Sequence, residues 1–276
     1  MSLIKVKARD IREFFLRDAH WVDRAKTLDR FIIGDPDKNI DSVLVTLYGD
    51  YAAVRYAVNN GFDMLITHEP VFGFNANELD EMVSLDSCSA RYRNLSTKKK
   101  FIEESGLVIL RIHDTWDRKP EIGMLPSWLE FIGIENRPVV TGRRGILGRF
   151  DIKPVRLGDF ALSIAEKTAK IGEPHVHVVG DLNNVVSKIG ITIGCGGTIY
   201  HFIEMGCDVS VVTDDGTCYW SDIQFAKDFG HCVIYLNHGT TEEPGMIKMT
   251  GYLRDNYPQL KVEHFPHRCG IKIVRA

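Results

Sequence analysis

The feature that most constrains this chain is a strand, a helix and a second strand that follow one another within residues 42–67. The apolar run SVLVTLY (42–48) predicts the first strand, and MLIT (64–67) predicts the second. Between them, Asp50 predicts the N-terminal cap of a helix and Gly61 predicts its end. A helix that connects two such strands places them parallel in one sheet. The chain is therefore expected to be an α/β protein.

The same alternation continues on both sides of this unit. An amphipathic helix is predicted at 8–28, a loop and a helix at 75–105, and a strand at 107–112 (LVILRI). The run Lys98–Lys100 is interpreted as a solvated helix face. From Pro244 onward we expect a helix and a last strand that pack back on the first region.

A second α/β region follows a segment that is rich in glycine and proline between 133 and 160. It is predicted to contain helices at 159–170, 199–205 and 218–229 and strands at 175–179, 188–193, 209–213 and 231–236. The expected architecture is therefore two α/β domains with mixed or parallel sheets. The first domain would comprise residues 1–135 plus 245–276, and the second residues 136–244.

The composition excludes several classes of protein. Across 276 residues, 34 basic and 37 acidic side chains give a formal net charge of −3, so no overall attraction to nucleic acid or to an anionic membrane is expected. No apolar run approaches the roughly 18 residues of a membrane-spanning helix, and the charged first segment does not resemble a signal peptide. The six cysteines include no C-x-x-C pair. We expect a soluble cytoplasmic protein with reduced thiols.

Histidines and carboxylates directly follow three of the predicted strands. They are His68 and Glu69 after 64–67, His113, Asp114 and Asp117 after 107–112, and His238 and Glu242 after 231–236. The carboxyl ends of parallel strands form the edge of a sheet at which ligands bind, so these side chains could converge. Their mixture suits zinc, manganese or iron, and five ligand candidates are more than one tetrahedral ion requires. Two ions about 3.5–4 Å apart would use the set.

Other interpretations of these residues stay open. A histidine and a glutamate after a strand can be a surface or capping pair. Glu242, Glu243 and Pro244 also resemble the start of a helix, where acidic residues favour the helix dipole and proline fits the first turn. The other seven histidines have no comparable acidic neighbours and are interpreted as structural, mostly exposed residues: His20, His175, His177, His201, His231, His264 and His267.

Two further segments carry polar candidates. Gly194, Gly196, Gly197 and Thr198 follow the predicted strand 188–193 and open a helix, where free N–H groups would favour an anion such as phosphate. The segment matches neither the dinucleotide-binding fingerprint nor the Walker loop, so a packing turn is an equal alternative. Asp214 and Asp215 follow the strand 209–213, and either could orient a ligand histidine, carry protons or form a turn.

Four of these segments together resemble the signature of the Nif-three-like, dinuclear metal-centre family, whose members often carry the name GTP cyclohydrolase I type 2 homologue. They are ITHEP (66–70), IHDTWD (112–117), GCGGT (194–198) and NHGTTEEPG (237–245). The order of the segments is specific, although no single one is. The resemblance implies metal ligation by His68, Asp117, His238 and Glu242, with Glu242 bridging two ions.

This chain departs from the family pattern at one of the expected ligands. Glu69 stands where the commoner pattern has a second histidine. A carboxylate can still bind a metal, so Glu69 is kept as a ligand, and the richer oxygen shell favours manganese or iron over zinc. The resemblance further implies interlocked domains, a metal site in the interdomain cleft and a ring-shaped homohexamer.

Three functions compete at this stage. The first is a metal-dependent hydrolase that acts on a nucleotide or pterin-like small molecule through a metal-bridged hydroxide, with Asp215 and His113 moving protons. The second is a metal-binding or metal-delivery protein without turnover. The third is a nucleotide-binding interaction module in which the histidines only pack.

Overall fold

The strands predicted at 42–48 and 64–67 are parallel neighbours in a computed structural model of the protein, which describes residues 5–73 and 78–274. The strands are β1 (Val6–Lys7), β2 (Arg30–Ile33), β3 (Asn39–Ile40), β4 (Ser42–Thr46), β5 (Met64–Thr67), β6 (Val108–Arg111), β7 (Val140–Gly142), β8 (Leu147–Arg156), β9 (His177–Val179), β10 (Val185–Thr192), β11 (Val209–Thr213), β12 (Cys232–Leu236) and β13 (Lys261–His264). The helices are α1 (Ala8–Arg17), α2 (Tyr51–Asn59), α3 (Glu78–Val83), α4 (Ala90–Ser105), α5 (Asp114–Asp117), α6 (Met124–Ile132), α7 (Leu157–Thr168), α8 (Ile199–Glu204), α9 (Gln224–Phe229) and α10 (His238–Asn256). Short turns of 3-10 or π helix occupy Arg143–Gly145, Ala169–Ile171, Asp214–Gly216 and Tyr219–Ile223.

The chain divides into two units. The first contains the residues up to Lys119 together with Met246–His267, and the second contains Pro120–Gly245 together with the residues from Arg268 onward. This division places residues 120–135 in the second unit, whereas the sequence pattern assigned them to the first. In the described parts of the chain, every helix is too short or too polar to cross a membrane.

The first unit is built on a five-stranded sheet in the order β13-β4-β5-β6-β2. All neighbours are parallel except β2, which runs antiparallel to β6. Buried side chains of β4, β5 and β6 form a core with α2 and α4, as Leu65 does with Val54 and Ile102. Asp50 begins α2 as predicted, because its carboxylate accepts a hydrogen bond from the Ala53 N–H at 2.8 Å. The pairing of β13 with β4 places the predicted last strand in the first unit, whereas the residues from Arg268 onward belong to the second.

The second unit is built on a six-stranded sheet in the order β7-β8-β10-β11-β12-β9. Strands β10, β11 and β12 are parallel, whereas β8 and β9 run antiparallel to their neighbours. Helices α8 and α9 cover one face through Phe202 and Ala226, which pack against Val212 and Val233 of the sheet. The predicted α/β fold with mixed and parallel sheets is confirmed.

The first helix is shorter than the predicted 8–28. It ends at Arg17, although apolar residues continue beyond it at helical spacing. At its end the Leu16 carbonyl accepts from the Asp18 N–H and, at 3.3 Å, from the Ala19 N–H, which is the tighter bonding typical of a helix end. The Arg24 guanidinium folds back and donates to the same carbonyl at 3.2 Å.

The last helix begins earlier than predicted, at His238 instead of Pro244. The free N–H groups of its first turn are capped from outside the helix. Asp214 accepts from the His238 N–H at 2.8 Å, and the Asn237 side chain accepts from the Gly239 N–H at 3.1 Å. Pro244 therefore lies inside the helix, where it removes one backbone hydrogen bond. The earlier start places His238 and Glu242 one turn apart on the same face.

The interpretation of Lys98–Lys100 as a solvated face is wrong for Lys98, which is buried. Its ammonium group donates hydrogen bonds to the carbonyl oxygens of Gly49 and Val71, the second at 2.6 Å. These carbonyls follow β4 and β5, so the side chain joins two loops at the carboxyl edge of the sheet. Burial lowers the pKa of Lys98 to about 8, although Asp50 and Glu78 oppose the shift.

This buried lysine predicts a stability that depends on pH. Between pH 8 and the ordinary lysine pKa of 10.5, the unfolded chain holds a proton at Lys98 that the folded protein has released. Stability therefore rises with pH across this window, by about 3 kcal/mol relative to a Lys98→Met variant. Denaturant unfolding of both proteins across the window measures the difference. Parallel curves for the two proteins would contradict the prediction.

Candidate functional site

The first group of candidate ligands follows directly after β5. The backbone N–H groups of His68 and Glu69 both donate to the Leu47 carbonyl, at 3.1 and 2.9 Å. This shared acceptor ties the residues after β5 to the end of β4, and both side chains are largely buried. The predicted position of the two residues at the carboxyl edge of the sheet is confirmed.

The His68 ring has a defined orientation. Its Nδ1 lies 3.0 Å from the Ile112 carbonyl oxygen, which only accepts, so Nδ1 carries a proton. Nε2 then presents its lone pair to Asp117 Oδ1 at 3.3 Å. Two acceptors that face each other at this distance need a proton or a metal ion between them. Although burial opposes it, the charges of His113 and His68 lower the pKa of Asp117.

The His113 side chain lies directly beside those of His68 and Glu69, although it follows a different strand. Its ring stacks on His68 with the ring centres 4.4 Å apart, and its Nε2 lies 3.9 Å from Glu69 Oε1. Single ligand atoms of His68, Glu69 and His113 lie within 4.8 Å of one another, as a shared metal ion requires. Burial opposes a charge on His113, but Asp117, Asp114 and Glu69 outweigh it and raise the pKa of His113 to about 9. The distances of His113 fit a ligand role, whereas its raised pKa fits the predicted proton transfer.

A buried carboxylate that the sequence did not single out holds the segment after β6. Asp29 accepts hydrogen bonds from the backbone N–H groups of His113 and Thr115, the second at 2.9 Å. These bonds cap the first turn of α5, which carries Asp117. Burial raises the pKa of Asp29. The sequence around Asp29 does not indicate this role, because the groups that it binds lie much further along the chain, after β6.

A buried arginine supports the same group. The Arg111 Nε donates to the His68 carbonyl at 2.9 Å, and its guanidinium lies 3.6 Å from Glu69 and 4.0 Å from Glu78. Glu78 in turn accepts from the Phe72 N–H at 2.7 Å. Arg111 therefore fixes the backbone of one candidate ligand and the carboxylate of another. Burial raises the pKa of Glu78 even beside this cation.

The second group lies in the second unit, at the start of α10. His238 Nε2 lies 3.1 Å from Glu242 Oε2, one helical turn further on. His238 Nδ1 lies 2.7 Å from Asp215 Oδ2 and donates to it. The arrangement repeats that of His68, since Nδ1 is bound to an acceptor and Nε2 faces a carboxylate. A carboxylate that holds one ring nitrogen while the other binds a metal is a common feature of metal sites.

Further contacts fix the backbone around His238. Asp214 accepts from the His238 N–H and, at 2.9 Å, from the Asn237 side chain. Buried Glu173 accepts from the Asn237 N–H at 3.1 Å. Of these residues, the sequence indicated only Asp214, through its position after β11. Glu173 lies in a loop without a metal-ligand pattern and could not be found from sequence.

Gly194, the first residue of the glycine-rich segment, lies close to the second group. Gly194 has a φ of 45°, and a Cβ there would lie 2.5 Å from Glu242 Oε1 and 2.7 Å from His238 Nε2. Gly196 and Gly197 are explained by packing against Thr192 and Leu147. Packing thus accounts for the glycines, and an anion contact stays a prediction.

Thr198 precedes α8, a helix of six residues. Its N–H and hydroxyl both lie within hydrogen-bond distance of His201 Nδ1, at 3.2 and 2.9 Å. His201 is thus structural, as predicted. His231 is structural too, but the expectation of exposure is wrong for it, because the ring is buried and lies 2.7 Å from the Ser210 hydroxyl.

The second group yields a prediction about Asp215. Replacing it by alanine removes the acceptor that orients the His238 ring, so we expect a loss of about 10–100-fold in divalent-metal affinity. Competition with a chromophoric chelator measures this affinity. Asp228→Ala, which changes an exposed aspartate of α9, is the matched control. Equal affinities in the two variants would contradict an orienting role for Asp215.

Comparison with known proteins adds independent information. A sequence model of the family described as Duf34/NIF3 (NGG1p interacting factor 3) matches residues 7–269. The chain is 22% identical over 229 residues to a Clostridium perfringens protein named GTP cyclohydrolase 1 type 2 homolog. The matched region covers 81% of this chain and 82% of that protein.

Solved structures share the fold at low sequence identity. A Bacillus cereus protein related to NIF3 matches with a TM-score of 0.74 and 14% identity, over 99% of this chain and all of that one. Reduced HcgD from Methanocaldococcus jannaschii matches with a TM-score of 0.68 and 20% identity, over 95% of this chain and 99% of that one. The two likenesses establish the architecture of the chain.

Proposed function

This chain belongs to the Duf34/NIF3 family, and from this premise we propose that it is a divalent-metal-binding hydrolase that acts on a nucleotide or pterin-like substrate. The name of the Clostridium perfringens relative, GTP cyclohydrolase 1 type 2 homolog, supports the substrate class. The homohexameric ring implied by the family resemblance and the cytoplasmic location expected from the composition belong to the same proposal.

One observation carries the metal-binding part. In both units a histidine has its Nδ1 on an oxygen acceptor and its Nε2 within 3.3 Å of a carboxylate oxygen. Packing alone could explain a single arrangement of this kind. Its repetition at His68 and at His238 favours a cation beside each histidine. The donor set of imidazole and carboxylate suits manganese, iron or zinc.

We assign the binding of two ions to the residues that the sequence indicated, which are His68, Glu69, Asp117, His238 and Glu242. His113 is a further candidate ligand. When bound, the two ions would supply Lewis acidity and lower the pKa of a water molecule to near 7. Asp215 would keep the His238 ring in place, and His113 would exchange protons with the substrate. Gly194–Thr198 would contact a substrate phosphate.

Metal analysis of the purified protein tests this proposal. We expect about two divalent ions per chain in the wild type, and a clear loss in His68→Ala and in His238→Ala. His20→Ala, which changes an exposed histidine, is the control and should retain the wild-type metal content. Turnover of a panel of nucleotides and pterins with Mn²⁺ should require both histidines.

The possible outcomes separate the parts of the proposal. Wild-type protein without metal, and without a thermal shift on adding divalent ions, would contradict metal binding and favour the nucleotide-binding module. Metal that depends on both histidines but no turnover of any substrate in the panel would contradict the hydrolase. That result would favour metal binding or delivery, especially if the ions exchange rapidly with a chelator.

A further inference from the structure

Two histidines that the proposed function does not use lie side by side at the edge of the second sheet. His177 begins β9, and His175 precedes it by two residues. Their ring centres lie 5.5 Å apart, with the ring planes almost perpendicular at 86°. Strand β9 is the last in the strand order of this sheet, beside β12. No further strand of the described chain therefore pairs with the outer side of β9.

The neighbouring strand fixes the orientation of the His177 ring. Tyr235 of β12 lies opposite His177 in the sheet, and the two rings stack with their centres 4.6 Å apart and their planes at 15°. A cross-strand pair of rings of this kind stabilises both side chains. Stacking occupies the face of the imidazole and leaves the nitrogen atoms at its edge available, and His177 is exposed.

His175 has a buried ring nitrogen that lacks a partner. Its Nδ1 forms no hydrogen bond within the described parts of the chain. Its Nε2 faces the Glu173 carboxylate at 3.9 Å, and the side chain is 14% exposed. A buried polar atom without a partner is unfavourable, because it has lost its hydrogen bonds to water. If Nε2 carries the proton towards Glu173, whose carboxylate only accepts, the lone pair of Nδ1 is left for a cation.

The separation of the two rings fits a shared metal ion. A ring nitrogen binds zinc at about 2.0–2.1 Å, which places the centre of the imidazole about 3 Å from the ion. Two rings on one tetrahedral ion then have their centres about 5 Å apart. This value is close to the 5.5 Å between His175 and His177, and rotation of the side chains can aim both nitrogens at one point.

A carboxylate lies next to this pair of histidines. Glu173 is buried and accepts a hydrogen bond from the Asn237 N–H at 3.1 Å. Arg268 packs beside Gly172 on the adjoining segment, but the described residues include no arginine or lysine within ion-pair distance of Glu173. Imidazole is neutral when it binds a metal, so binding here needs no excess of negative charge.

We propose that His175 and His177 together bind one divalent transition-metal ion, with water as the remaining ligands. Imidazole ligands suit copper, nickel and zinc, whereas magnesium and calcium prefer oxygen, and copper should bind most tightly. The pair shares no residue with the two-ion assignment that includes His68 and His238, so this proposal does not depend on that one.

Titration calorimetry of the metal-free, full-length His68→Ala/His238→Ala variant with Cu²⁺ tests the site. We expect this variant to bind one ion per chain at the pair. Adding His175→Ala or His177→Ala should weaken Cu²⁺ binding by about tenfold or more, because a chelating pair becomes a single ligand. His20→Ala in the same background, which removes an exposed histidine elsewhere, is the matched control and should leave the affinity unchanged.

A column of immobilised Cu²⁺ gives a second measurement if that double variant does not fold. The untagged wild-type protein should be retained more strongly than His175→Ala and His177→Ala, and His20→Ala should elute with the wild type. His68 and His238 are buried and cannot reach an immobilised ion.

The outcomes separate this proposal from the proposed function. Cu²⁺ binding that depends on His175 and His177 in a protein without the two-ion centre would support the pair and contradict only the proposed function. Unchanged Cu²⁺ binding in His175→Ala and His177→Ala, or a loss that follows His20→Ala instead, would overturn the proposal.

Discussion

Replacing Gly194 by alanine is expected to lower divalent-metal affinity by about 100-fold, at the upper end of what disturbing the surroundings of metal ligands costs. The new Cβ would lie 2.5 Å from Glu242 Oε1 and 2.7 Å from His238 Nε2. The methyl group must therefore displace one or both of these side chains. Chelator competition measures the affinity, and denaturant unfolding of the metal-free protein measures the stability.

A second glycine separates this effect from backbone strain. Gly230 also has a positive φ, of 75°, but a Cβ there would have no neighbour within 4 Å. Gly230→Ala should therefore lose roughly 1 kcal/mol of stability through its left-handed backbone conformation and keep its metal affinity. Equal metal affinities in the two alanine variants would contradict the assignment of His238 and Glu242 as ligands.

Replacing Arg111 by methionine is expected to lower the free energy of unfolding by about 3–5 kcal/mol at neutral pH. Its guanidinium is buried beside the carboxylates of Glu69 and Glu78 and donates to the His68 carbonyl. Methionine fills much of the same volume but leaves two buried carboxylates without this cation. Denaturant unfolding of the metal-free protein gives the value.

The Arg111 prediction has a graded control. Arg111→Lys retains a charge but loses the planar fork that reaches several acceptors at once, so its stability should fall between that of the wild type and that of the methionine variant. Arg17→Met changes an arginine paired with Asp18 at the surface and should have little effect. An Arg111→Met protein as stable as Arg17→Met would contradict the role given to this residue.

The sequence was sufficient for those parts of the fold that depend on local pattern. The strand predicted at 64–67 matches β5 because the apolar run MLIT is bounded by Asp63 and His68. Asp50 was identified as a helix cap because the group it binds lies three residues further on. Both features are decided within a few residues, so the chain can be interpreted there without its tertiary structure.

The errors occur where a distant segment decides the outcome. Helix α10 begins at His238 because Asp214, at the end of another strand, caps it. The local pattern of Glu243 and Pro244 suggested a later start. Lys98 belongs to a run of lysines that resembles an exposed face, and only the carbonyls beyond β4 and β5 explain its burial. These carbonyls lie far from Lys98 in the chain, so the residues around Lys98 do not indicate that it binds them.

The same distinction applies to the candidate site, where local sequence indicates some residues and not others. His68, Glu69 and His238 could be found because each follows a strand at a position where parallel sheets bind ligands. The residues that hold them, Asp29 and Arg111, could not be found. Asp29 acts on backbone groups far along the chain, and Arg111 lies within a strand, where a charged residue has no expected partner.

The pairing of β13 with β4 has a consequence for how the protein is made. Lys261 lies opposite Ser42, so the strand that closes this edge of the first sheet leaves the ribosome long after β4 does. Residues 120–245 emerge earlier and can fold as a unit while β4 still lacks its outer neighbour. An open strand edge invites pairing with other chains. A nascent chain that stalls before residue 261 would therefore be more prone to aggregation than the finished protein.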